Sequence, residues 1–333
     1  MQIIHQVHLT LFNFKLTSVP LLNPTQILDI GTGTGDWAIG IGEVFPACDV
    51  TGIDLSAIQP SAVPSNVFFE IFDGEDDDDW TYPEDSFDLI HLRNMNGSIK
   101  SWDRICERVY THLKPRGWIE IVDFEDQTSQ FASHFKEDSE VQAWFKAMAE
   151  AAKRSAKDVC PVDAHTERLN RMGFKDVKTT TKDVPMGLWP TDPATKNVAK
   201  LWLVASLAGL EAMSLRPLTQ ELGWAPGEVR RMCYLIEKEL KSIAMNEKAR
   251  SLTSSVQVII GQKPFAGRLE VDEGEGEETL EVDEVQPESK KLRFSRSIER
   301  WEGQERLSRD MSADSSDEDP RERGRDPDVE MRL

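Results

Sequence analysis

Short apolar runs, each closed by an acid or running into a glycine or asparagine, recur along the first part of the chain. Ile27-Leu28-Asp29-Ile30 runs into Gly31-Thr32-Gly33-Thr34-Gly35, residues 49–55 end in Asp54-Leu55, and residues 66–72 run into Asp73-Gly74. Residues 87–93 lead into Asn94, and residues 118–124 carry Asp123 near their end, just before Glu125. Runs of this length rich in Ile, Val and Phe predict buried strands. Asp36-Trp37-Ala38-Ile39 opens a helix after the glycines, residues 101–113 form another with Ser101 as N-cap, and Pro115-Arg116-Gly117 turns the chain between them and the next strand. Strand and helix in alternation predict a parallel sheet with helices on its faces.

Further on the apolar spacing lengthens. It predicts helices over 137–156 and 163–172, a strand over 174–184, a helix over 195–214 and another over 226–245. Val229, Met232, Cys233, Ile236, Leu240 and Ile243 share one face of the last of these. A strand over 255–261 follows. The fold expected is α/β: a Rossmann-like, seven-stranded, mostly parallel sheet with flanking helices, covering residues 1–267. Residues 135–172 and 195–247 supply a helical lid. From 268 to 333 the composition changes to 22 acids and 12 bases with few apolar residues, too little to offset the entropy of ordering, and this predicts a disordered charged tail.

The glycine spacing bears on the ligand. A dinucleotide site reads G-x-G-x-x-G/A and sets a pyrophosphate on a helix N-terminus. Here the third glycine comes one residue early and Asp36 follows it, an acid that would repel a pyrophosphate. S-adenosyl-L-methionine has no phosphate, and its ammonium and sulfonium are cations that suit Asp29. Asp54 lies roughly 20 residues past the glycines, the separation of a ribose-binding carboxylate. Asp73 adds a third acid at the carboxyl edge of the sheet, where such sheets bind ligands.

Charge and length limit the other classes. A net charge of −20 over 333 residues argues against direct binding to nucleic acid. The longest apolar run, Leu201 to Leu210, is about half of what crosses a bilayer, so no membrane partner is expected. Cys48, Cys106, Cys160 and Cys233 lack metal or redox spacing and are expected to be reduced thiols in the cytoplasm and/or nucleus. The acidic run Glu75 to Asp79 lacks calcium-loop spacing and reads as a solvated loop; no metal is expected. Lys290-Lys291-Leu292-Arg293 has the composition of a nuclear address, although a run so short is more often a solvated segment.

Several motifs together resemble the fungal LaeA-like methyltransferases, a class I S-adenosylmethionine-dependent family. They are the Ile27–Gly35 loop with Trp37-Ala38-Ile39, Asp54-Leu55-Ser56-Ala57-Ile58-Gln59-Pro60, residues 79–83, residues 87–94 with Gly97-Ser98-Ile99, and residues 112–118. The likeness spans about residues 5 to 264. It implies that Gly31, Gly33 and Gly35 line the donor, Asp29 meets its methionine end, Asp54 its ribose and Asp73 its adenine, with Thr32, Leu55, Gly74, Arg93 and Asn94 also at the cofactor. Family members carry a longer segment before the glycine loop and a His-Ala-Tyr segment where this chain reads Ala244 to Arg250, two departures that fall where an acceptor would bind.

Methyl transfer needs alignment and water exclusion more than a fixed triad. Candidates for proton handling are His91, Arg93, Asn94, Asp123 and Glu125. His91 has the best pKa for a base, yet alternation sets it on the face of Phe87 and Leu89, where a packed histidine is as reasonable. Trp37 reads as core, His134 and His165 as surface residues. The acceptor is expected to be a small molecule, a secondary metabolite, or a protein; the alternative is a regulatory module acting through a protein partner. A nicotinamide oxidoreductase is disfavoured by Asp36.

Overall fold

The computed structural model describes residues 2–75, 80–124, 134–155, 157–158, 161, 163–245 and 252–265. Its elements run α1 (Gln2–Leu11), β1 (Gln26–Ile30), α2 (Asp36–Val44), β2 (Asp49–Asp54), β3 (Val67–Ile71), β4 (Phe87–Arg93), α3 (Trp102–His112) and β5 (Leu113–Phe124). Then follow α4 (Glu140–Arg154), α5 (Asp163–Arg171), β6 (Lys175–Pro185), α6 (Pro193–Leu222), α7 (Pro226–Ala244) and β7 (Thr253–Gln262). The seven strands form one sheet in the order β3-β2-β1-β4-β5-β7-β6, parallel from β3 to β5, with β7 antiparallel to both neighbours. The α/β Rossmann-like architecture expected from the sequence is the one observed.

Strand alternation sends apolar side chains to both faces, as a buried parallel sheet requires. On one face Ile27, Leu89, Val122 and Val258 pack with Trp37 and Ile41 of α2, Val7 of α1 and the inner sides of α6 and α7. On the other, Leu28, Ile90, Ile119 and Ile121 pack with Trp102 and Ile105 of α3 and Leu169 of α5.

Three elements differ from the sequence pattern. Residues 2–11 form a helix that the pattern did not show, because His5 and His8 interrupt the apolar face; both are buried in the fold. Pro115–Gly117 is no free turn. Strand β5 starts at Leu113 and passes through these residues as a bulge, so Phe87 pairs with Leu113 while Leu89 pairs with Trp118. Arg116 takes φ 68° there. The irregularity also puts Phe87 in the Trp102 layer and Leu89 in the Trp37 layer, so these two do not share a face with one another. Helix α6 runs past Ser214 and through Pro217 to Leu222, where Gly223 at φ 73° ends it. At 30 residues it is long and apolar enough to cross a membrane, and it packs against α1, α4, α7 and β6.

Candidate functional site

The glycine loop between β1 and α2 holds Gly31, Gly33 and Gly35 at φ 70°, 59° and 77°, a region that only glycine enters at little cost. Four of its backbone N–H groups are paired within the protein. Gly31 N and Thr32 N both donate to Ile53 O at 2.9 and 3.0 Å, Gly33 N donates to Asp54 Oδ2 at 2.8 Å, and Gly35 N donates to Thr32 O at 3.0 Å. Two glycines also make room for side chains: a Cβ on Gly31 would strike Met95, and one on Gly35 the ring of Phe69.

The order of strands sets Asp73, Asp54, the glycine loop and Arg93-Asn94 along one edge of the sheet. Asp54 Oδ1 accepts from Ser56 N at 2.9 Å, while Leu55 beside it is exposed. Gln59 folds back to donate to Gly33 O at 2.7 Å and Ser56 O at 2.9 Å, a clamp that only the motif around it could have suggested. Phe72 N donates to Asp54 O, which brings Asp73 next to the end of β2. Gly74 O accepts from Trp80 Nε1 and Arg108 Nη1. Glu75 is not part of a solvated run, since its buried carboxylate accepts from Lys100 N and Ser101 N at the start of α3. Residues 76–79 lie outside the described residues.

Register sets Asp29, His91 and Glu120 side by side across β1, β4 and β5, and all three are buried. Asp29 Oδ1 lies 2.8 Å from His91 Nδ1, and Asp29 Oδ2 accepts from Thr32 Oγ1 at 2.6 Å. Glu120 Oε1 accepts from Ser18 N at 2.6 Å, and burial pushes its pKa up. Burial and the adjoining Arg93 push His5 down to about 3, so its Nδ1 is free to accept from Arg93 Nη1 at 3.2 Å. Burial likewise holds His8 well below the ordinary histidine range. A cavity of about 20 Å³ between His5, His8, Arg93 and Glu120 has room for one water molecule. Glu120 and both N-terminal histidines escaped sequence reasoning, since nothing in the sequence gives the register or the α1 contact.

The remaining candidates divide. Asp123 is buried under the loop after β4: Oδ2 accepts from Met95 N and Asn96 N at 2.9 and 2.8 Å, and burial raises its pKa to about 6. Asn94 sits at φ 57° and donates its N–H to Val122 O. Glu125 lies outside the described residues, as do residues 246–250. Trp37 is buried as expected, and His134 is exposed. His165 is not at the surface. It is fully buried, edge-on to Trp102 at 4.2 Å, with its pKa lowered to about 4 by burial and by Arg168.

Residues 4–179, which contain the loop and all three strand-end acids, match the family model described as a methyltransferase domain. The secondary metabolism regulator LAE1 of Cochliobolus heterostrophus is 35% identical over 225 residues, 67% of this chain and 73% of that one. The chain belongs to the LaeA-like methyltransferase family. Another relative, methyltransferase pytC of Aspergillus terreus, is 34% identical over 268 residues, 80% of each chain. Among solved structures, a methyltransferase from an antibiotic biosynthesis pathway of Anabaena variabilis superposes with a TM-score of 0.51, covering 78% of this chain and 96% of that one. At 15% identity this likeness concerns the fold alone. For this family member the sheet edge just described is therefore the candidate active site.

Proposed function

We propose that this methyltransferase takes its methyl group from S-adenosyl-L-methionine and passes it to a small-molecule acceptor, a secondary metabolite, or to a protein side chain. The observation that carries the donor assignment is the spending of loop amides at Gly31, Thr32, Gly33 and Gly35 on protein acceptors. A phosphate-binding loop keeps such amides for its ligand. With Asp36 in the first turn of α2, the site is poor for a pyrophosphate and fits a cationic donor. The fit extends to Asp54 and Asp73 as partners for ribose and adenine. When bound, the sulfonium supplies an already activated methyl for in-line displacement. The chain then has to orient donor and acceptor and exclude water. Asp54 and the Gln59 clamp orient the loop, Asp123 fixes the segment after β4 that borders it, and α1 with residues 12–20 covers the neighbouring sheet face.

Calorimetry with S-adenosyl-L-methionine, its demethylated product and NAD tests this. Binding of the first two with NAD much weaker is expected; tighter binding of NAD would reverse the assignment.

A second reading has its own support, since a relative at 35% identity bears the name of a secondary metabolism regulator. In that reading the chain holds the donor but works chiefly through a protein partner. Turnover separates the two: transfer of labelled methyl into fractionated fungal metabolites or proteins favours the enzyme, and donor binding without transfer favours the regulator.

A further inference from the structure

We propose that His91 is a positioning residue for the donor loop rather than a proton acceptor in the reaction. Its Nδ1–H holds the Asp29 carboxylate, and Asp29 in turn holds the Thr32 hydroxyl at the centre of the loop. The inference rests on the assignment of that loop to the methyl donor.

The geometry leaves each group one role. An ionised Asp29 only accepts, so the hydrogen in the 2.8 Å contact sits on His91 Nδ1. The other oxygen of Asp29 takes the Thr32 hydroxyl hydrogen at 2.6 Å. Thr32 is then held at three points: its side chain by Asp29, its N–H by Ile53 O, and its carbonyl by Gly35 N. Gly33 follows directly, and its N–H meets Asp54.

The imidazole itself is fixed in plane. Trp37 stacks on it with 3.7 Å between centroids and 2° between planes, and Trp37 Nε1 donates to Leu16 O at 2.7 Å. His91 Nε2 faces Glu120 Oε2 at 3.8 Å. With His91 1% exposed and Asp29 2% exposed, bulk water cannot take over a lost hydrogen bond, so the penalty of losing one is not softened. Asp29 occupies Nδ1 and Glu120 faces Nε2, so both ring nitrogens are turned to protein carboxylates.

Three substitutions at one position test the idea. The amide nitrogen of Asn reaches about where Nδ1 of histidine lies, whereas that of Gln lies nearer Nε2. Donor affinity should therefore stay within about threefold for His91→Asn and fall roughly tenfold or more for His91→Gln and His91→Leu, measured by calorimetry on protein shown to be folded by circular dichroism. If His91→Leu does not fold, the Asn–Gln pair still decides. Thr32→Val removes the far end of the relay. Combined with His91→Gln it should weaken binding little more than either change alone, because both cut one chain of contacts.

Equal affinities for folded His91→Asn and His91→Gln, or full additivity with Thr32→Val, would overturn the positioning role while leaving the donor assignment intact. Failure of the parent chain to bind S-adenosyl-L-methionine at all would sink both.

Discussion

Gly33 donates its N–H to Asp54 Oδ2 at 2.8 Å, tying the glycine loop to the end of the neighbouring strand. The same carboxylate thus shapes the loop and borders the expected ribose position. Asp54→Ala should weaken donor binding by about 1.5–3 kcal/mol, the scale of hydrogen bonds to a charged group. Isothermal calorimetry reads this directly, and unchanged affinity in a folded variant would remove Asp54 from the donor site.

Gly35 combines a left-handed backbone with the ring of Phe69 lying where a side chain would start. Gly35→Ala is expected to cost at least ~1–2 kcal/mol from backbone strain, with the steric clash added. Denaturant unfolding should show part of that loss recovered in Gly35→Ala/Phe69→Leu. No recovery would mean that the ring is not what the added carbon meets.

His5 and Asp123 should tilt stability with pH in opposite directions. The folded chain keeps His5 neutral down to about pH 3, whereas the unfolded chain protonates it near 6.5, so stability is lost as pH falls through that window. Asp123 keeps its proton up to about pH 6 when folded but releases it near 3.8 when unfolded, so stability is lost as pH rises through that range. Relative to the parent, Asp123→Asn should gain ~1–3 kcal/mol between pH 4 and 7, and His5→Asn should gain a similar amount going from pH 7 to 4. Urea melts across pH settle both, and parallel profiles for variant and parent would refute the assignment of either group.

Residues from Arg268 onward should be dispensable for folding and donor binding, on the strength of their acid-rich, apolar-poor composition. Deleting them is expected to leave the melting temperature nearly unchanged. A large drop would show that they pack on the domain.

The strands, their alternation with helices and the donor loop were legible because each follows from local pattern: apolar runs, glycines at alternate positions, acids at strand ends. Asp29, His91 and Glu120 are different. Each was visible singly, yet their meeting depends on the register of β1, β4 and β5, a pairing over long sequence separation that no local pattern encodes. Helix α1 was hidden for a related reason. His5 and His8 look like polar interruptions until Arg93 and the sheet give them a buried surrounding. The bulge at Pro115–Gly117 read as a turn since the same residues serve both.

The N-terminal segment has an awkward place in time. Ser18 closes onto Glu120 of β5, and α1 lies against α6, which begins at Pro193. A ribosome therefore delivers α1 well before β5 and α6, the surfaces it settles on. Such distant closures slow folding. Until residues 193–222 emerge, α1 lacks that neighbour. Helix α1 leaves the ribosome long before its neighbour α6 and can complete its docking only after it.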